Sequence, residues 1–238
     1  MQRVAETSPS SLARTAGIFY LLTFLTGFVV LFINSKTIAS GDAAATANKI
    51  LANRSLFQLG FAADAVVNIC YIAVTALFYV LFRPVSRTIS LLAAFFSLVG
   101  CAVGSLSCLF DLAPLAVLGG APYLAVFTPD QLQALSFLLL KLHGQVQNVS
   151  LVFFGCYCLL IGYLIFRSIF LPRVLGVLMM IAGLGWLTFL SPALATALSP
   201  FILLPGIIGE GALTIWLLVK AVNPQRWNEQ AGAAGTPA

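Results

Sequence analysis

Five ionisable side chains, Asp64, Asp111, Lys141, His143 and Glu210, lie inside long apolar stretches of this chain. At the centre of a bilayer each costs about 2.5–3.5 kcal/mol on insertion scales, so such residues by default mark a site that binds, relays or pairs. Three carboxyl groups face one lysine and one imidazole. In a low-dielectric setting that excess calls for a proton on one carboxyl or a bound cation. Glu210 has Gly209 and Gly211 leaving its flanks open and Thr214 one turn on. It is the residue best suited to carry a proton or to act as a general acid. Asp64 is its companion carboxylate, His143 a pH-sensitive gate and Lys141 a counter-charge.

Helical phase groups these residues. Asp64, Asn68, Tyr71 and Thr75 recur at spacings of four, three and four, which makes one polar stripe. His143, Gln147, Ser150 and Tyr157 keep to a similar face, with Lys141, Gln145 and Asn148 close by, while Gly100, Gly104 and Asp111 share a side. Lipid rejects such stripes, so they are expected to face one another and line a common interior cavity. Counted at 1.5 Å per residue from the basic anchor at the cytoplasmic end of each helix (Arg83, Arg87, Arg167 or Lys220), Asp64 and Asn148 stand about 28 Å up, Asp111 and His143 about 36 Å, and Glu210 about 15 Å. The expected shape is a funnel open to the outer side with Glu210 at its floor. Its binding set is Asp64, Asn68, Asp111, Lys141, His143, Gln147 and Glu210, and its ligand a small cation, a proton or a small polar molecule. Each residue also has a structural reading. Asp64 would then hold Asn68 or a neighbouring helix, Asp111 and Lys141 would pair with headgroups or each other, and His143 would be satisfied at the interface.

Other chemistries lack their motifs. Cys156 and Cys158 are two apart within a helix and point to nearly opposite sides, so they cannot share an ion. Cys101 and Cys108 share a face with Ser97, Gly104 and Ser105, the small-residue pattern that lets helices approach closely. There is no Cys-x-x-Cys, His-Glu-x-x-His, Gly-x-Ser-x-Gly or phosphate-cradling loop. A single histidine rules out a site of several imidazoles within one chain. Metal and cofactor therefore stay unassigned. A non-catalytic helper or interaction protein is the alternative reading, and an intramembrane lipid-modifying enzyme a weaker one.

The elements that must position these groups follow from composition. Of 238 residues, 61% are hydrophobic and 8% charged, against roughly a quarter charged in a soluble domain. That excludes a soluble enzyme, a nucleic-acid binder and a disordered tail protein. The apolar residues come in runs of about 20, the length of a membrane-crossing helix. The expectation is an all-α bundle of six transmembrane helices at about 17–33, 57–82, 88–118, 134–166, 174–190 and 201–222. Residues 1–16 are expected as a cytoplasmic tail, 17–222 as the transmembrane domain and 223–238 as a disordered cytoplasmic tail with Trp227 as interfacial anchor. Arg3, Arg14, Arg83, Arg87, Arg167, Arg173, Lys220 and Arg226 fall on one side, which places both termini in the cytoplasm of a plasma or inner membrane. Lys36, Lys49 and Arg54 oppose that rule in the first outer loop. The first apolar run exceeds a signal h-region and is expected to be a retained helix. The alanine-rich stretch 42–56 is either a short interfacial helix or an ordered loop. Pro205 is expected to bend the last span one turn before Glu210, freeing carbonyls that could coordinate a cation. The sequence leaves the oligomeric state open.

The segments AGIFYLLTFLTG (16–27), NKILAN (48–53), LFRPVSR (81–87), LVFFG (151–155), GYLIFRS (162–168), LPRVLG (171–176) and GEGALTIWLLVK (209–220) are spread over nearly the whole chain. In these blocks it resembles the bacterial membrane proteins of the domain of unknown function 4386 family. The resemblance implies a bacterial multi-pass inner-membrane protein. It implies no activity, cofactor or catalytic residue.

Overall fold

The computed structural model describes residues 8–235. Among them the secondary structure is helical throughout, with no strand. The α-helices are α1 (Pro9–Thr37), α2 (Ala43–Ala52), α3 (Arg54–Phe82), α4 (Arg87–Val117), α5 (Pro129–Arg167), α6 (Arg173–Leu187), α7 (Pro192–Leu198), α8 (Leu204–Val219) and α9 (Pro224–Gly235). Six helical stretches are long and apolar enough to cross a membrane: Pro9–Thr37, Arg54–Phe82, Arg87–Val117, Pro129–Arg167, Arg173–Leu190 and Phe201–Val219. They coincide with the six expected spans, and most run past the expected ends. Apolar side chains mark the hydrocarbon layer, whereas the i to i−4 ladder continues through polar residues beyond it. Helix α5, with 39 residues, is about 58 Å long, nearly twice the hydrocarbon thickness. Large apolar side chains such as Ile69, Leu109 and Ile215 point outward on these helices, a surface suited to lipid and not to water.

Three local features depart from expectation or decide between alternatives. The stretch after Asp42 is a helix, α2, because the Asp42 carboxylate accepts the Ala45 backbone N–H at 2.8 Å and caps the first turn. Pro205 does not bend a running helix. It stands in the first turn of α8, where the missing N–H has no intrahelical partner to lose. Residues 224–235, expected as a disordered tail, form α9, because side chains tie them down. The Trp227 indole N–H donates to the Leu81 carbonyl at 2.9 Å, and the Gln230 side-chain oxygen accepts from the Ile169 N–H at 3.1 Å. Asn223 caps the helix by accepting the Arg226 N–H at 3.1 Å.

The contacts gather the chain into two compact units. Among the described residues the first comprises 8–22, 70–100 and 151–235. Its aromatic spine runs from Tyr20 to Phe78 to Phe82 edge to face, with ring centres 5.9 and 5.5 Å apart, and on to Phe170 at 6.0 Å. Helices α5 and α6 meet in it through two glycine pairs. A Cβ added at Gly162 would lie 2.7 Å from the Gly176 carbonyl oxygen, and one at Gly183 would lie 2.7 Å from that of Gly155. The second unit comprises residues 23–69 and 101–150, with a core of Ile50, Phe57 and Leu140 beneath Ile38, Leu115 and Leu118.

Candidate functional site

Glu210 is the most enclosed of the ionisable residues singled out from the sequence, with 6% of its surface exposed. It sits in the second turn of α8, and the neighbouring α6 comes close because Gly206 and Gly209 face it. A Cβ at Gly209 would stand 2.5 Å from the Leu178 carbonyl oxygen. At this separation Trp186 of α6 reaches the carboxylate, and its indole N–H donates to Oε1 at 2.6 Å. Oε2 accepts from the Tyr20 hydroxyl at 2.6 Å and from the Tyr71 hydroxyl at 2.8 Å. The Cys158 thiol is a further hydrogen-bond partner of the carboxyl group. The tyrosines are held in turn. Tyr20 stacks edge to face on Tyr71 at 5.6 Å, and Tyr71 packs against Phe154 at 4.4 Å and Tyr157 at 6.0 Å. Thr214 donates to the Glu210 backbone carbonyl at 2.8 Å and is therefore a helix contact.

In the other unit, Asp111 is buried and Asp64 and His143 are half-buried, within electrostatic range of one another. The His143 Nδ1 stands 3.0 Å from the Ser107 carbonyl oxygen. A carbonyl only accepts, so Nδ1 bears the hydrogen, and a neutral imidazole then offers Nε2 as an acceptor. The Ser107 hydroxyl lies 2.6 Å from the Gly104 carbonyl and 3.1 Å from the Gln147 side-chain oxygen. The Asn68 amide donates to the Asp64 backbone carbonyl at 3.0 Å. Gly104 leaves room for this network, since a Cβ there would stand 2.7 Å from Asn68 Oδ1 and 3.2 Å from Ser150 Oγ. Lys141 is exposed, its ammonium 5.1 Å from the centre of the Phe137 ring on the same helix.

Of the residues expected from the sequence, Asp64, Asn68, Asp111, His143 and Gln147 thus fall in one unit, and Glu210 with its donors in the other. Among the described residues no group of three His, Cys, Asp or Glu is arranged to hold a metal ion. Sequence reasoning placed Tyr71 on the polar stripe but passed over Tyr20, Cys158 and Trp186. Position gave no signal: membrane tyrosines and tryptophans ordinarily gather at the interfaces, and Tyr20 lies three residues into its expected span. Trp186, four residues before the end of its apolar run, passes for an interfacial anchor.

Six apolar spans and a polar interior define an integral, multi-pass helical membrane protein. Within that class the chain belongs to the family described as Domain of unknown function (DUF4386), which matches residues 15–221. It is 26% identical over 159 residues to an uncharacterized protein of Archaeoglobus fulgidus, an alignment that covers 63% of this chain and 75% of that relative. No solved structure matches the chain.

Proposed function

We propose that the protein is a plasma-membrane protein with both termini in the cytoplasm that takes up and releases a proton at Glu210. In this reading Asp64, Asn68, Asp111, His143 and Gln147 line a cavity open to the outer side that takes a proton, a small cation or a small polar ligand. The observation that carries the reading is a buried carboxyl group held by the neutral donors of Tyr20, Tyr71 and Trp186.

The donor set has a built-in asymmetry. An indole N–H can only donate, so Trp186 keeps Oε1 committed in either state. A hydroxyl can donate or accept. A proton that enters at Oε2 finds an acceptor there, because one tyrosine can turn from donor to acceptor. The Tyr20 and Tyr71 oxygens are 3.3 Å apart, so the hydrogen displaced from one hydroxyl can point at the other. Both protonation states then keep their hydrogen bonds without backbone movement, as a proton carrier requires.

Infrared difference spectroscopy of the purified protein across a pH titration tests this. A carboxylic-acid C=O band that comes and goes with pH is expected, and Glu210→Gln should abolish it without loss of fold. The variant suits the box: its amide oxygen accepts from Trp186 and its NH2 group donates to a tyrosine oxygen. Persistence of the band in Glu210→Gln sinks the proposal. A second reading, polar residues serving only as helix contacts, is favoured by Asn68, Thr75 and Thr214, each of which bonds the carbonyl four residues earlier. That reading expects no such band in the native protein.

A further inference from the structure

Away from the buried carboxyl group, the turn between α3 and α4 carries Arg83 and Arg87 on either side of Pro84, Val85 and Ser86. The turn is well fixed. The Val85 N–H donates to the Phe82 carbonyl at 2.9 Å, and Ser86 Oγ accepts from the Ile89 N–H at 3.4 Å. Because Val85 bonds to Phe82, the Leu81 carbonyl is left for the Trp227 indole. That bond brings α9 against the turn. Trp227, Ala231 and Ala234 lie four and three residues apart, hence on one face of α9. The two alanines leave open a cavity of about 560 Å³ lined by this face and by Val80, Arg83, Ser86 and Arg87.

We propose that this pocket binds the phosphate group of an anionic phospholipid. Both arginines are exposed at its rim, and among the described residues that line it none is Asp or Glu. Guanidinium groups match phosphate oxygens in paired hydrogen bonds, and the Ser86 hydroxyl adds a neutral donor. The rest of the wall is apolar. Val80, Trp227, Ala231 and Ala234 offer a surface for a glycerol backbone and the first acyl carbons. The pocket also lies where α3, having crossed its apolar run, ends in charge, the level at which basic side chains and tryptophan meet headgroups. A site for free phosphate would not need that apolar wall.

Native mass spectrometry of the detergent-purified chain titrated with phosphatidylglycerol tests the proposal, with phosphatidylcholine and inorganic phosphate as parallel probes. Phosphatidylglycerol should bind the native chain, phosphatidylcholine weakly. Arg83→Gln should weaken phosphatidylglycerol roughly fivefold, and Arg83→Gln with Arg87→Gln roughly thirtyfold. The paired control Arg167→Gln with Arg173→Gln removes the same charge elsewhere and should change binding less than twofold. Equal weakening by both pairs would mean a diffuse basic surface and overturn the site. Inorganic phosphate that displaces the lipid at matched concentration would overturn the lipid assignment. Both pairs are surface changes, so far-ultraviolet circular dichroism should match the native chain.

Discussion

Each oxygen of Glu210 has a different margin for loss. Oε2 takes two hydroxyl donors, so Tyr20→Phe or Tyr71→Phe leaves it with one. Oε1 takes the indole of Trp186, and Trp186→Phe removes that donor while keeping an aromatic ring in place. A hydrogen bond to an ionised, buried acceptor is worth about 1.5–3 kcal/mol. Each tyrosine variant, which leaves Oε2 one hydroxyl donor, should therefore fall at the low end, about 1.5 kcal/mol, and Trp186→Phe at the high end, about 3 kcal/mol. The double variant Tyr20→Phe with Tyr71→Phe strips Oε2 and should cost more than the two singles together. Unfolding by sodium dodecyl sulfate from mixed micelles reads these differences. Equal costs for Trp186→Phe and either tyrosine would contradict the asymmetry. At this scale the sequence singled out Glu210 as a carboxyl group inside an apolar run but not what surrounds it. Glu210 was legible because a charge in an apolar run is rare. Its hydrogen-bond partners come from four other helices, α1, α3, α5 and α6, and helical phase gives a residue its face but not the neighbour across the gap.

At the scale of elements, α5 and α6 touch through backbone. Gly155 opposes Gly183 and Gly162 opposes Gly176, so both steps are seven residues and run in opposite directions along the two helices. Main-chain atoms cannot yield as the end of a flexible side chain does, so Gly162→Ala and Gly176→Ala force the helices apart. The expected cost is about 1–3 kcal/mol each, the range for overpacking a filled interface. Gly144 on the same α5 is the control. A Cβ there meets nothing within 4 Å, and Gly144→Ala should be neutral or stabilise by up to about 1 kcal/mol through helix propensity. The same unfolding assay measures both, and a Gly162→Ala variant as stable as the native chain would refute the contact. These pairs were hidden in the sequence, where glycines seven apart on separate helices carry no sign that they meet. Gly104 belongs to the small-residue pattern expected to pack helices closely, and the structure sets it and Gly100 against side chains: Gly100 against Phe154, Gly104 against Asn68. The short α2 was half-legible. Its capping Asp42 was visible, but alanine-rich polar stretches also form loops.

Over the whole molecule, the six spans were the most legible feature because the solvent demands them: a chain crossing lipid must satisfy its backbone internally over a fixed length. Helix α9 was illegible for the opposite reason. Its Ala/Gly-rich composition has little to bury, and its order comes from bonds to Leu81 of α3 and to Ile169 in the connection between α5 and α6. The direction of insertion is a separate matter, set by loop charge during insertion and not by packing. Arg83 and Arg87, Arg167 and Arg173, and Lys220 and Arg226 occupy alternate connections, whereas the connections after α4 and α6 hold no Lys or Arg. Lys36, Lys49 and Arg54 work against them. The balance predicts both termini on the cytoplasmic side. A carboxy-terminal green fluorescent protein fusion should fluoresce, and a carboxy-terminal alkaline phosphatase fusion should be inactive. Because the opposing loop carries three cations, the bias is modest, and neutralising Arg83, Arg87, Arg167 and Arg173 together should yield a mixed population with measurable phosphatase activity. Full phosphatase activity in the native chain would invert the topology, and with it the assignment of the outer side to Asp64, Asp111 and His143.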